Sequence, residues 1–278
     1  MHTLESELIK IKDYGRNKGL NTDTLRVLLK ERLQDYILDM IYNDDKYKNF
    51  VFYGGTCLRK IHGLNRLSED LDFENPNNIT LTGFESDLLK YFHVNLDYKQ
   101  VDVSSMMLKN MARFTVKLPK MHGLGLSEFD SEKIHVKVEI NQKPTGIYPT
   151  EKTPYSKVKE SFMILHYPID VMMAGKITAC LDRIYKKGTT SITVMGRDYY
   201  DLLWYMERKI IPYERKLTDV DANYNSLSVF DLLDHKISQI SGVDLLLDLE
   251  LSFEKKTFIR EWCKNFHDLY QRYRVFYK

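Results

Sequence analysis

NFVFYGGTCLRKIHGLNRLSEDLDFENPN, residues 49–77, is the stretch on which the fold turns. Its apolar run Phe50-Val51-Phe52-Tyr53 reads as a strand, which gives way to Gly54-Gly55-Thr56 and then to a short helical segment, Leu58 to His62, closed by Gly63. A second strand, Asp70-Leu71-Asp72-Phe73, sets Asp70 and Asp72 on one face and Leu71 and Phe73 on the other, because side chains alternate along a strand. Two acids side by side on one sheet face repel unless something positive lies between them. A divalent metal resolves that conflict, and the nearby glycine turn suits a phosphate. Gly54 and Gly55 let the backbone approach phosphate closely, the helix N-terminus supplies N–H donors, and Thr56 adds a hydroxyl. Arg66 and Ser68, with Arg59 and Lys60, are candidate contacts to phosphate oxygens, although each taken singly also reads as a surface residue. An isolated D-x-D is more often a pair of solvated acids, and a lone Gly-Gly more often solves a packing problem. Strand, Gly-Gly-Thr, short helix and acidic strand in succession are more specific than either half.

At 278 residues the chain has room for one large domain or two smaller ones. A hydrophobic content of 43% with 29% charged residues suits a globular protein with a real core. Forty-one basic against thirty-nine acidic residues leave a net charge of +2, so only a local basic surface would bind nucleic acid. Cys57, Cys180 and Cys263 are widely spaced and odd in number, which argues against a disulfide framework or a C-x-x-C zinc site. The first residues lack the apolar core of a signal peptide and no run approaches membrane-spanning length, so the cytoplasm is the expected compartment and no membrane partner is expected.

Working outward, Leu4 to Lys18 is helix-like but polar, and Asn21-Thr22-Asp23 caps a second helix to about Tyr42. Leu25, Leu28, Leu29, Leu33, Tyr36, Ile37, Met40 and Ile41 recur there at helical spacing as one apolar stripe. A helix is expected over Phe84 to Tyr91, and strands over Tyr98 to Val103 and Arg113 to Leu118, with Ser104 to Asn110 ambiguous. Lys133 to Ile140 alternates cleanly: Ile134, Val136, Val138 and Ile140 on one face, His135, Lys137 and Glu139 on the other. Pro144 to Pro154 reads as a connection. Beyond it the pattern is helical, over Ile169 to Lys186, Arg197 to Lys209, Val229 to Ser238 and Phe253 to Tyr273. The expected class is α+β: a small mixed sheet with flanking helices over residues 1–150, followed by a helical C-terminal domain over residues 151–278.

If Asp70 and Asp72 hold Mg²⁺, a third oxygen ligand is expected from a neighbouring strand, and Glu139 is the best placed. In the helical half, Lys176 borders the stripe Met173, Ile177, Cys180, Leu181 and Ile184, so it either snorkels from the core edge or reaches for a phosphate. Asp198 borders the stripe of the next helix, where first-turn helix chemistry is the bland alternative.

Together these pieces resemble the AbiEii/AbiGii-type toxin family of nucleotidyltransferases, from type IV toxin–antitoxin and phage abortive-infection systems. The resemblance spans roughly Leu25 to Tyr205 and rests on four features. They are the amphipathic helix before the core, Gly54-Gly55-Thr56 with Leu58, the segment Arg66-Leu67-Ser68-Glu69-Asp70-Leu71-Asp72-Phe73, and the later Lys176 and Arg197-Asp198-x-x-Asp201-Leu202. Thr56 stands where the family often has serine, which keeps the hydroxyl. The resemblance implies a polymerase-β-like nucleotidyltransferase core, dependence on Mg²⁺ (or Mn²⁺), and transfer of a nucleoside monophosphate from an NTP with release of pyrophosphate. It also implies an RNA acceptor, the tRNA 3′ end in particular, and a cognate antitoxin encoded nearby. Asp70 and Asp72 carry over as metal ligands, Lys176 as a triphosphate contact, and Asp198 as a supporting or acid–base group. A small-molecule or protein acceptor, or a non-catalytic nucleotide- or RNA-binding module, are the rival readings. For RNA, basic residues including Lys186, Lys187, Arg208, Lys209, Arg260 and Arg274 interleave with Tyr185, Tyr213, Tyr270 and Tyr273, as on a stacking surface or on any helical exterior.

Overall fold

The computed structural model describes residues 4–119, 121–158, 161–183 and 194–278. These fall into two compact units: Met1–Gly63, Leu67–Pro144 and Thr150–His166 make the first, and Leu64–Arg66, Thr145–Pro149 and Tyr167–Lys278 the second. No helix among the described residues is long and apolar enough to cross a membrane.

In the first unit the elements run α1 (Leu4–Asn17), α2 (Thr22–Asn43), β1 (Val51–Tyr53), α3 (Gly54–His62), β2 (Leu71–Glu74), α4 (Phe84–Lys90), β3 (Asp102–Leu108), β4 (Met111–Leu118), β5 (Ile134–Asn141), β6 (Glu151–Tyr155) and β7 (Phe162–His166). The strands form one seven-stranded sheet in the order β3-β4-β5-β2-β1-β7-β6. It is mixed: β2 runs parallel to β5 and β1 parallel to β7, while the remaining pairs are antiparallel.

Helix α2 starts where its cap dictates, with the Asn21 side chain accepting a hydrogen bond from the Thr24 N–H at 2.9 Å. Of its stripe, Leu25, Leu29, Leu33, Tyr36, Ile37, Met40 and Ile41 are buried and Leu28 is half-buried, and the helix packs against β5 and β7. Burial of each such side chain stabilises the fold by about 1.5–3 kcal/mol. Polar Gln34 sits within this core and is fully buried. Its amide donates to the carbonyls of Ser68 and Glu69 at 3.0 and 2.9 Å, fixing the chain just before the acidic strand. An aromatic cluster of Phe50, Phe52, Phe73, Phe84 and Phe114 fills the core beside it.

Several elements differ from expectation for identifiable reasons. The segment 104–110 is a hairpin, with Lys109 in the left-handed region (φ 52°) at its tip, so β3 and β4 are both longer than the alternation suggested. Residues 151–166, expected to begin the helical part, instead supply β6 and β7. Strand β6 is an edge strand containing Pro154, a residue that a central strand would not accept. Helix α3 begins at Gly54 itself, so the glycines form its first turn and do not precede it.

The second unit is helical: α5 (Ile169–Asp182), α6 (Gly196–Glu207), α7 (Glu214–Val220), α8 (Ser228–Ser238), α9 (Gly242–Leu249), α10 (Lys256–Lys264) and α11 (Phe266–Arg274). The single helix expected over 253–273 is broken at Asn265, and the helix expected to reach Lys186 ends at Asp182, where the Arg183 backbone is extended; residues 184–186 lie outside the described residues. Leu202, Leu203, Met206, Ile177 and Cys180 are buried here, as their helical spacing predicts.

Candidate active site

The sheet register sorts the acidic strand by face. Leu71 pairs with Val138 and Phe73 with Ile140, both couples on the buried face, so Asp72 lies opposite Glu139 on the other face. Asp70 immediately precedes β2 on the same parity as Asp72. Two cations from neighbouring strands temper the three acids. Lys137 Nζ lies 3.7 Å from Asp70 Oδ1, and Arg113 reaches Glu139 Oε1 with Nε and Nη2, each at 2.8 Å. Arg113 stands directly opposite Glu139 in the β4–β5 register, a partner that the sequence reading did not single out. The donor set is all oxygen and carboxylate-rich, which suits a hard cation such as Mg²⁺. Glu139, however, presents one oxygen already engaged by a guanidinium.

Gly54 stands against Asp72. Its φ of +79° lies in the left-handed region, and a Cβ placed on it would come within 2.4 Å of Asp72 Oδ2. Only glycine gives both the turn and the room. Gly54→Ala is expected to lower stability by only about 1–2 kcal/mol, while displacing the Asp72 carboxylate and reducing nucleotidyl transfer far more; paired urea unfolding and transfer assays check this. Gly55 follows in the first turn of α3, where backbone N–H groups remain for an anion. Thr56 does something other than the phosphate contact expected of it. The residue is 1% exposed and its hydroxyl donates to the Asp70 carbonyl at 2.5 Å, tying the first turn of α3 to the acidic segment. Ser68 is likewise buried rather than presented to a ligand.

In the helical unit a charged network is enclosed. Arg66, 3% exposed, forks onto Asp201 with Nε–Oδ1 at 2.6 Å and Nη2–Oδ2 at 2.7 Å. Lys176 Nζ lies 2.9 Å from Asp201 Oδ2 and 2.8 Å from Asp198 Oδ1, and Arg183 Nη1 holds Asp198 Oδ2 at 2.9 Å. Arg66 is therefore neither a surface residue nor, in this arrangement, a ready phosphate contact. Burial alone would raise the Asp201 carboxyl, but Arg66 and Lys176 outweigh it and hold the group below the usual carboxylate range. Burial alone would lower the Lys176 ammonium; Asp198 and Asp201 outweigh that and raise it above its ordinary value. Lys176 is thus a permanent cation at neutral pH. Asp201 had no role assigned from the sequence, although its spacing of three from Asp198 puts both on one face of α6.

The interleaved basic and tyrosine residues do not form one open surface. Arg274 is buried against Asp231 and Asp234, and Tyr270 is fully buried with its hydroxyl donating to Asp234 at 2.7 Å. Arg260 pairs with Glu250, and Arg208 stacks on Trp204 with its guanidinium 3.9 Å from a ring centroid. Tyr185, Lys186 and Lys187 lie outside the described residues.

No curated protein matches the chain. Among solved structures it resembles a protein from H. pylori that carries a nucleotidyltransferase description, with 19% identity, a TM-score of 0.55, and coverage of 89% of this chain and 94% of that one. It also resembles JHP933 from Helicobacter pylori, with 21% identity, a TM-score of 0.52, and coverage of 89% and 91%. At such identity these likenesses speak for the fold. Residues 36–268 match the family described as nucleotidyl transferase AbiEii toxin, type IV toxin–antitoxin system, a span that includes every candidate metal, nucleotide and catalytic residue above. The chain belongs to this AbiEii family of nucleotidyltransferase toxins.

Proposed function

We propose that this nucleotidyltransferase transfers a nucleoside monophosphate from an NTP to an RNA acceptor, the 3′ end of tRNA, in a Mg²⁺-dependent reaction that releases pyrophosphate. The observation that carries the reading is the close approach of Gly54 to Asp72, which brings a phosphate-accommodating turn and a cation-demanding carboxylate to one place. Asp70 and Asp72 are the proposed metal ligands, with Glu139 as the third once Arg113 yields it. A divalent cation bound there would supply activation of the acceptor hydroxyl and neutralisation of the triphosphate. Gly54 and Gly55 let the phosphates approach the backbone, and Thr56 and Gln34 hold the acidic segment in register with that turn. Lys176 is the proposed triphosphate cation, oriented by Asp198 and Asp201. An ammonium carries three donors, so one remains for a phosphate oxygen beyond those two partners.

The test is incubation of the protein with each α-labelled NTP, Mg²⁺ and total RNA. Label is expected at the 3′ end of tRNA, from one NTP in preference to the others, and is expected to disappear with EDTA. Label found only in protein or in a small molecule would move the acceptor and keep the enzyme; NTP binding without turnover would favour a binding module. The family also implies a cognate antitoxin. Growth arrest on expression, relieved by Asp70→Ala, is the corresponding expectation in cells.

A further inference from the structure

Away from the carboxylate face, the first unit gathers a second set of ligating side chains. Cys57 lies in the first half of α3, His62 is the last residue of that helix, and His166 ends β7, where it pairs with Phe52 of β1. One ligating atom from each lies within 4.8 Å of the other two. Cys57 and His166 are fully buried, and His62 is half-buried at the margin. The two imidazole rings meet edge to face, 5.4 Å between centroids at 83°, so they do not stack. Thr153 Oγ1 lies 2.8 Å from His166 Nε2 and orients that ring from the edge strand. The buried Nε2 of His62 has no hydrogen-bond partner among the described residues.

We propose that Cys57, His62 and His166 form a binding site for a thiophilic divalent cation of the Zn²⁺ class, distinct from the Mg²⁺ carboxylates. One sulfur and two imidazole nitrogens are the ligands of zinc and cobalt, whereas magnesium takes oxygen. Bond lengths of about 2.3 Å to sulfur and 2.0 Å to nitrogen put tetrahedral ligand edges at about 3.5 Å. The cluster therefore closes by about an ångström on binding, a movement that the half-exposed His62 can supply. The Thr153 contact is the kind of outer-shell bond that fixes a ligating histidine. On binding, the Cys57 S–H bond breaks, its proton leaves to solvent, and a sulfur–metal bond forms with no change of oxidation state. A water completes the fourth position. The bound ion would fasten both halves of α3 to β7, and α3 carries the Gly54–Thr56 turn.

Titration of the reduced, metal-free full chain with Co²⁺ tests this. Expected are a thiolate-to-cobalt charge-transfer band and tetrahedral d–d bands saturating at one Co²⁺ per chain, displaced by Zn²⁺, with a Zn²⁺-dependent rise in Tm. Cys57→Ala should abolish the charge-transfer band, and His62→Leu should weaken Co²⁺ binding by about a hundredfold or more. Asp72→Asn should leave the band intact, which separates this site from failure of the catalytic assignment. A wild-type chain without the band overturns the proposal, as does a band that persists in Cys57→Ala through Cys180 or Cys263. If circular dichroism shows Cys57→Ala unfolded, His62→Leu decides alone: undiminished affinity overturns the site.

Discussion

Asp201→Asn is expected to destabilise the protein by about 3–5 kcal/mol, the scale for leaving buried charges without their counter-ion. The carboxylate is fully buried and holds both Arg66 and Lys176; Arg66 cannot turn to water without opening the helical unit, and Lys176 keeps only a small exposed edge. Asparagine keeps the shape and one acceptor, so the loss isolates charge from packing. Asp198→Asn should do less, because one of its partners, Arg183, has a side chain 47% exposed and can be solvated. Urea unfolding at neutral pH gives both values. The pH dependence has a definite sign. The Asp201 carboxyl is depressed in the folded state, so its stabilisation is complete above the unfolded value of about 3.9 and is lost as pH falls through the lower folded value. The wild type should lose stability below about pH 4 with a slope that Asp201→Asn flattens. Equal acid slopes in the two proteins would mean that Asp201 does not hold the charge assigned to it.

How much of this was legible depended on whether the deciding contact was local. The alternation Ile134, Val136, Val138, Ile140 and the helical-period stripe of α2 report burial by period alone, and both elements stand where that period puts them. The acidic strand was legible for the same reason, since Leu71 and Phe73 fix the face that Asp72 cannot occupy. Strand β7 was not. Its buried positions are Phe162, Ile164 and His166, but Met163 and Leu165 between them are also apolar, and the buried histidine breaks the pattern further. Strand β6 was hidden by Pro154, which is harmless only because the strand is an edge. The role of Arg66 was invisible in principle. Its partner is 135 residues away, and an arginine beside a glycine turn reads as phosphate chemistry until the carboxylate is seen. Thr56 misled similarly: a hydroxyl at a helix start suggests a ligand, and only the placement of the Asp70 carbonyl shows where it is spent.

Asp72→Asn is expected to reduce nucleotidyl transfer by about three orders of magnitude or more while leaving the fold intact, since a residue that holds a cation at the reacting phosphate stabilises charge present only in the transition state. The stability expectation follows from the neighbours. Asp72 lies opposite Glu139 in the sheet with Asp70 two residues before it, so removing one negative charge relieves repulsion in the metal-free protein. Tm without Mg²⁺ should therefore hold or rise, and the Mg²⁺-dependent increase expected of the wild type should shrink. Glu139→Gln is the discriminating companion. Arg113 already engages Glu139 Oε1 through two nitrogens, so if that pair persists during turnover the exchange should cost activity less than Asp72→Asn does. If Glu139 instead leaves Arg113 to complete the cation's coordination, the two losses should match, and Arg113→Ala should raise Mg²⁺ affinity. Single-turnover transfer over a Mg²⁺ titration separates these outcomes, because a lost ligand shifts the midpoint whereas a lost positioning contact lowers the plateau. Full activity in Asp72→Asn at saturating Mg²⁺ would remove the carboxylate face from catalysis altogether, and leave Gly54 only its backbone role.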